Sequence, residues 1–78
     1  MKYDENLTKQ EIGEYIRNMR KAASLTQVQL AALMGVNVKR ISEYERANRQ
    51  PPHPKQFVEK LREVVCQQIR KRREANRK

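Results

Sequence analysis

The chain has 78 residues, of which 18 are Lys or Arg and nine are Asp or Glu, so its formal net charge is +9. This length allows one small domain, and a single cysteine and a single histidine argue against an intramolecular disulfide and a zinc site, so we expect no metal and no cofactor. The longest apolar run, residues 30–34, is too short to span a bilayer, and residues 1–10 lack the apolar stretch of a signal peptide, so we expect a cytoplasmic, reduced protein that contacts no membrane.

The first helix is predicted to begin after Thr8. Thr8 and Glu11 have the spacing of a capping box, in which the Thr side chain accepts a hydrogen bond from the Glu amide and the Glu side chain returns to the cap. Apolar residues then recur at helical spacing and predict one buried stripe; they are Ile12, Tyr15, Ile16, Met19 and Ala23. Arg17 falls among the polar residues of the opposite face.

The second helix is predicted by a repeat of the same capping pattern. Thr26 is the candidate cap and Gln29 the third helical residue, with the helix running to about Met34. Gly35 is expected to end it in a left-handed conformation.

The third helix is predicted to run from Val38 to about Arg46, with Asn37 as its N-cap. Its apolar face is narrow, consisting of Ile41 and Tyr44 with Val38 as a further candidate. The remaining polar and charged side chains point outwards and give more polar surface than packing requires. Together with the second helix, this segment predicts a helix-turn-helix unit.

A fourth helix is predicted after the proline-rich connector at residues 47–54, with Pro54 in its first turn. Its apolar face contains Phe57, Val58, Leu61, Val64, Val65 and Ile69, and Cys66 beside it is expected to be partly buried. Beyond Ile69 the helix either continues as an exposed arm or frays near Gln68. The predicted organisation is a domain at residues 1–69 and a basic extension, tail or helix, at residues 70–78.

The charge of the chain is concentrated in this extension. Residues 70–78 contain six basic residues and one acidic residue, a net charge of +5. Such an excess favours a polyanionic partner, because each phosphate that is neutralised releases condensed counterions. DNA, RNA and acidic membranes all satisfy the charge balance, and a merely solvated tail is the alternative.

Several motifs coincide in residues 12–52. They are a Thr-Gln-x-x-Leu-Ala sequence at residues 26–31, a small residue at Ala31, Gly35, the Ile41-Ser42-x-Tyr44-Glu45 sequence and a proline-containing exit. In this combination the segment resembles the lambdoid phage repressor and Cro proteins, often called the Xre family of helix-turn-helix proteins. The resemblance implies an all-α fold, a compact lambda-repressor-like domain of four to five helices, in which the basic extension replaces the usual fifth helix.

The resemblance also assigns base reading to residues around the start of the third helix. Here these are Asn37, Val38, Lys39, Arg40 and Glu43. Their chemistry suits the major groove, since Lys or Arg can donate to guanine, Asn can pair with adenine, Val can touch a thymine methyl and Glu can accept from cytosine. For Asn37, helix capping alone is the alternative, and for Lys39 and Arg40 it is a solvated face.

Phosphate contacts are implied by the resemblance at Gln27, which begins the second helix, and just past the third helix at Arg46, Asn48 and Arg49. Arg20 and Glu45 occupy the internal ion-pair positions. Two positions depart from the family pattern, which often has Gly where this chain has Ser24 and Ala47. We therefore expect the left-handed residue after the third helix to move to Asn48.

The first functional hypothesis is a sequence-specific DNA-binding regulator, a small repressor from a phage or other mobile element. The alternatives are an antitoxin that binds a partner protein as well as its own promoter, and a nonspecific nucleic-acid-binding protein driven by residues 70–78. No catalytic constellation is evident, so we expect neither enzymatic activity nor a small-molecule substrate. We expect a homodimer, at least on DNA, with Phe57, Val58 or Ile69 as candidate contacts between copies.

Overall fold

Four α-helices make up residues 7–75, the part of the chain that the computed structural model describes. They are α1 (Lys9–Ala22), α2 (Gln27–Met34), α3 (Val38–Glu45) and α4 (Pro54–Ala75). No strand occurs between residues 7 and 75, and the all-α fold class is confirmed. Residues 1–6 of the predicted domain and residues 76–78 of the predicted extension lie outside the described residues.

The beginnings of the first three helices are fixed by their own sequences. In α1 the Thr8 oxygen accepts from the Glu11 amide at 3.1 Å, and the Glu11 carboxylate accepts from the Thr8 amide at 3.0 Å. Thr26 and Gln29 repeat this capping box at the start of α2, and the Asn37 side chain accepts from the Lys39 amide at 2.8 Å before α3. The predicted helix starts are confirmed.

The ends of these three helices share one geometry. Each is followed by a residue in the left-handed region, Ser24 (φ 56°), Gly35 (φ 71°) and Ala47 (φ 62°). At all three ends two backbone amides turn back to carbonyls of the last helical turn, which is the Schellman arrangement. Only Gly35 adopts this conformation without steric cost.

The prediction that Asn48 carries the left-handed turn after α3 is wrong, because Ala47 carries it. The Ala47 amide donates to the Tyr44 carbonyl at 3.1 Å, and the Asn48 amide donates to the Glu43 carbonyl at 3.0 Å. In a Schellman turn, the left-handed residue is the one whose amide bonds to the carbonyl three residues earlier, and here that residue is Ala47. The two hydrogen bonds satisfy helix-end carbonyls and offset a steric cost of about 1–2 kcal/mol at Ala47.

The core lies between the four helices, where α1 and α2 each pack against both α3 and α4. Its fully buried side chains are Ile12, Ile16, Leu30, Ile41, Val58, Leu61 and Val65. Val58 is only 1% exposed, so the expectation that it contacts a second copy is wrong. The expectation that Cys66 is partly buried is also wrong, because its thiol lies on the exposed face of α4.

Gly13 allows α1 and α3 to approach closely. A Cβ atom at this position would collide with the carbonyl oxygen of Tyr44 and lie 3.0 Å from that of Glu45. Both carbonyls belong to the last turn of α3, so a side chain at residue 13 would push the end of α3 away from α1. The absence of a side chain here sets the distance between these helices.

α4 is one continuous helix to Ala75, and of the two alternatives at Ile69 the structure shows continuation. Two cationic side chains of α4 contact the ends of other helices. Lys60 Nζ donates to the Met34 carbonyl at 3.1 Å, and Arg72 Nη1 donates to the Ala23 carbonyl at 3.3 Å. Cations are favourable at these positions because the carbonyl end of a helix carries partial negative charge.

We predict that Gly13→Ala destabilises the protein by about 1–3 kcal/mol, because α1 and α3 must separate to admit the methyl group. In an ordinary helix interior the same change stabilises by about 1 kcal/mol. Chemical denaturation followed by circular dichroism measures the difference. Asn18→Ala, at an exposed position of the same helix, is the control and should be neutral or stabilising. A stabilising Gly13→Ala would show that the close approach does not constrain the fold.

We predict that Ala47→Gly stabilises the protein by about 0.5–1 kcal/mol, because Gly removes the steric cost of the left-handed backbone. The matched control is Ala32→Gly at an exposed position within α2, which should destabilise by about 1 kcal/mol. Thermal unfolding of the two variants beside the parent measures both effects. A loss of stability at both positions would contradict the assignment of the turn to Ala47.

Candidate nucleic-acid interface

One buried carboxylate joins the helix-turn-helix unit to α1. Glu45 is the last residue of α3, and its side chain is 1% exposed. Arg20 of α1 contacts it through two atoms, with Nε 2.7 Å from Oε2 and Nη2 3.1 Å from Oε1. The remaining Arg20 nitrogen, Nη1, donates to the Leu25 carbonyl at 2.9 Å. These are the two residues that the resemblance assigned to an internal ion pair.

Two further side chains reach Glu45. Gln27 Nε2, from the first turn of α2, donates to Glu45 Oε1 at 3.2 Å, and Arg17 Nε lies 3.6 Å from the same oxygen. The sequence pattern predicts Arg17 on the polar outer face of α1 and does not reveal this contact. Arg17 and Arg20 are three residues apart, so their side chains lie next to each other on the surface of α1. This spacing was the sequence signal that both could reach one carboxylate.

The pKa of Glu45 is lowered from its ordinary value of 4.5. Burial alone raises it, but hydrogen bonds from Arg20 and Gln27 and the charges of Arg20 and Arg17 together outweigh burial. Glu45 is therefore ionised at neutral pH, and its charge is compensated within the network. The carboxylate holds α1, the start of α2 and the end of α3 in one arrangement.

The first turn of α3 presents a mixed polar and apolar surface. Asn37, Lys39 and Arg40 are exposed, and Val38 keeps 39% of its surface accessible. Asn37 caps the helix, which leaves its amide nitrogen as a donor. Val28, in the first turn of α2, is 65% exposed and was not identified from the sequence. An apolar residue outside the buried positions of α2 was the signal that could have found it.

Glu43 lies between two arginines at the surface. Arg40 Nη1 is 3.3 Å from Glu43 Oε1, and Arg49 Nε is 3.7 Å from Glu43 Oε2. The structure thus brings together two residues expected to read bases and one expected to contact phosphate. Exposed ion pairs of this kind contribute about 0–1 kcal/mol each, so these side chains can exchange partners readily.

The other expected phosphate contacts lie at the end of α3. Arg46 follows the helix directly, and Arg46, Asn48 and Arg49 are all exposed. Gln27 differs from them because it is half-buried and its side-chain amide is bonded to Glu45.

In residues 7–75 no group of His, Cys, Asp and Glu side chains could hold a metal ion. No helix of this described part is long and apolar enough to cross a membrane.

A family model described as a helix-turn-helix domain matches residues 11–75, which is most of the chain. The chain belongs to this family. The match covers α2, the left-handed turn at Gly35 and α3, which together form the helix-turn-helix, and it continues through α4. The helix-turn-helix domain is a DNA-binding module whose second helix enters the major groove, and the family is typically non-enzymatic. Comparison with curated proteins and with solved structures gives no match.

We predict that the helix-turn-helix domain loses stability in acid through Glu45. Because the folded-state pKa of Glu45 is lowered, its contribution is complete above the ordinary value of 4.5 and is lost as the pH falls through and below that value. Glu45→Gln should lower the free energy of unfolding at pH 7 by about 3 kcal/mol, since Arg20 keeps its charge without a partner. It should also flatten the acid dependence.

Urea denaturation at several pH values between 7 and 3 measures this dependence. Glu59→Gln, at an exposed position of α4, is the charge-matched control and should change stability at pH 7 by less than about 0.5 kcal/mol. An acid dependence that is identical in the parent and in Glu45→Gln would contradict the assignment to Glu45.

Proposed function

We propose that this helix-turn-helix protein is a sequence-specific transcriptional repressor of the lambdoid repressor and Cro type, from a phage or another mobile element. The observation that carries the proposal is the exposed first turn of α3, held in a fixed position by the Glu45 network at the opposite end of the same helix. A helix presented in this way can enter the major groove without reorganisation, which reduces the cost of binding.

Base reading is assigned to the exposed edge of α3. Arg40 and Lys39 donate to guanine, Val38 contacts a thymine methyl group, and the free amide nitrogen of Asn37 donates to an acceptor on a base. Glu43 accepts from cytosine. When it does so, Arg40 and Arg49 are released from their weak ion pairs with Glu43, so all three side chains become available to the duplex together.

Phosphate contact is assigned to both ends of the unit. Arg46, Asn48 and Arg49 lie just past α3, where they would contact one backbone strand while α3 occupies the groove. At the other end, the start of α2 offers backbone amides and the positive end of a helix dipole. Gln27 contributes mainly by fixing this start, because its amide is bonded to Glu45.

We propose that two copies bind a palindromic operator and block transcription by occupying the promoter. The two α3 helices would then lie about 34 Å apart, one turn of DNA, on one side of the duplex. Phe57 and Ile69 are the candidate contacts between copies, because both are only partly buried in the domain.

Selection from a library of random duplexes tests the proposal. We expect enrichment of a palindromic sequence at physiological salt, because each bidentate pair discriminates against a wrong base by about 1–3 kcal/mol. Arg40→Ala should relax the preference at one symmetric pair of positions. Arg49→Ala should weaken binding to all sequences. It should also reduce the slope of log K against log salt by about 0.9, the value for one phosphate contact.

Lys55→Ala, exposed at the start of α4, is the control and should leave the preference unchanged. Recovery of all sequences in proportion to their abundance would overturn the proposal in favour of nonspecific binding. A preference that is unchanged in Arg40→Ala would leave a DNA-binding protein but remove this residue from the reading surface.

A further inference from the structure

We propose that the basic end of α4, residues 70–73, binds through Arg70, Lys71 and Arg73 the phosphates of the duplex that flanks the sequence read by α3. This inference rests on the proposed function, because it requires α3 to be seated in a major groove. It assigns to this end of α4 a contact surface whose partner is double-stranded DNA outside the operator.

The position of this surface follows from the two cationic contacts of α4. Lys60 lies at the carbonyl end of α2 through Met34, and Arg72 lies at the carbonyl end of α1 through Ala23. Twelve residues of helix separate them, about 18 Å, which exceeds the length of α2 itself at about 12 Å. α4 therefore runs back alongside α2. Lys60 of α4 lies at the end of α2, and Arg72 of α4 lies level with the beginning of α2.

The basic end of α4 consequently lies beside the α1–α2 turn, near the start of α2. That start is where the proposed function places a phosphate contact. A shallow cavity of about 190 Å³ marks the junction, and it is lined by Ala22, Ile69, Arg72 and Arg73. Ile69 is the last apolar side chain of α4 that packs on the core.

Of the four cations at residues 70–73, only Arg72 has a hydrogen bond that stabilises the fold. Arg72 donates to the Ala23 carbonyl and so stabilises the end of α1. Arg70, Lys71 and Arg73 are exposed, and none of them pairs with an acidic side chain in the described range. Three like charges within one helical turn repel one another, which a merely structural helix end does not require.

Duplex DNA supplies the complementary charge. It carries one negative charge per about 1.7 Å of axis, so a strand that passes the start of α2 offers further phosphates to a neighbouring basic helix end. Arg and Lys reach phosphates with long side chains and need no fixed base sequence. The contact therefore adds affinity and salt dependence and leaves sequence preference to α3.

The experiment compares two triple variants of the full chain. Arg70→Gln/Lys71→Gln/Arg73→Gln removes the proposed contact and retains Arg72. Lys9→Gln/Lys55→Gln/Arg62→Gln removes the same charge from exposed positions elsewhere and is the matched control. Each protein is titrated with the selected operator, either trimmed to its specified bases or extended by flanking duplex of arbitrary sequence, at several salt concentrations.

The parent should bind the extended duplex more tightly and with a steeper salt dependence than the trimmed one. The first variant should lose this difference, with the slope of log K against log salt falling by about 0.9 for each phosphate contact removed. The control should keep the difference between the two duplexes.

Equal slopes for the parent on both duplexes would overturn the inference, as would an equal loss in both variants, which would indicate a general charge effect. These outcomes are separate from the proposed function. If no operator sequence is enriched, the proposed function fails; if an operator is enriched and read normally but flanking duplex adds nothing, only the role of residues 70–73 fails.

Discussion

The arrangement of the helix-turn-helix depends on the ionised carboxylate of Glu45. It is buried at the end of α3 and accepts hydrogen bonds from Arg20 of α1 and Gln27 of α2. A buried charge is costly unless it is fully compensated, so each of these donors must stay in place for the others to be stable. Because Glu45 lies at one end of α3, this requirement fixes the direction in which the exposed other end points.

Gly13 contributes to the same contact in a different way. It leaves room for the last turn of α3 to lie against α1, which places the Glu45 side chain within reach of Arg20. The left-handed turn at Ala47 follows directly and closes α3 with two hydrogen bonds. The end of α3 is thus held by close packing, by the buried ion pair and by its left-handed turn, and it accepts backbone strain in order to keep this position.

The positive charge of the chain is divided between internal and external roles. Arg20, Lys60 and Arg72 neutralise a buried carboxylate or the carbonyl ends of helices. Arg40 and Arg49 are held only by exposed pairs with one shared carboxylate. Net charge by itself therefore overstates the number of cations available to a polyanion, and the contacts show which of them are free to exchange partners.

The sequence alone determined the helices and their starts, because caps such as Thr8, Thr26 and Asn37 act through neighbouring residues. It also indicated the ion-pair residues through the family resemblance. Only the tertiary structure decided the features that depend on residues distant along the chain, such as the exclusion of a side chain at Gly13 and the burial of Val58. Local spacing encodes a hydrogen bond within one turn, whereas a close approach of two helices exists only once both are packed together.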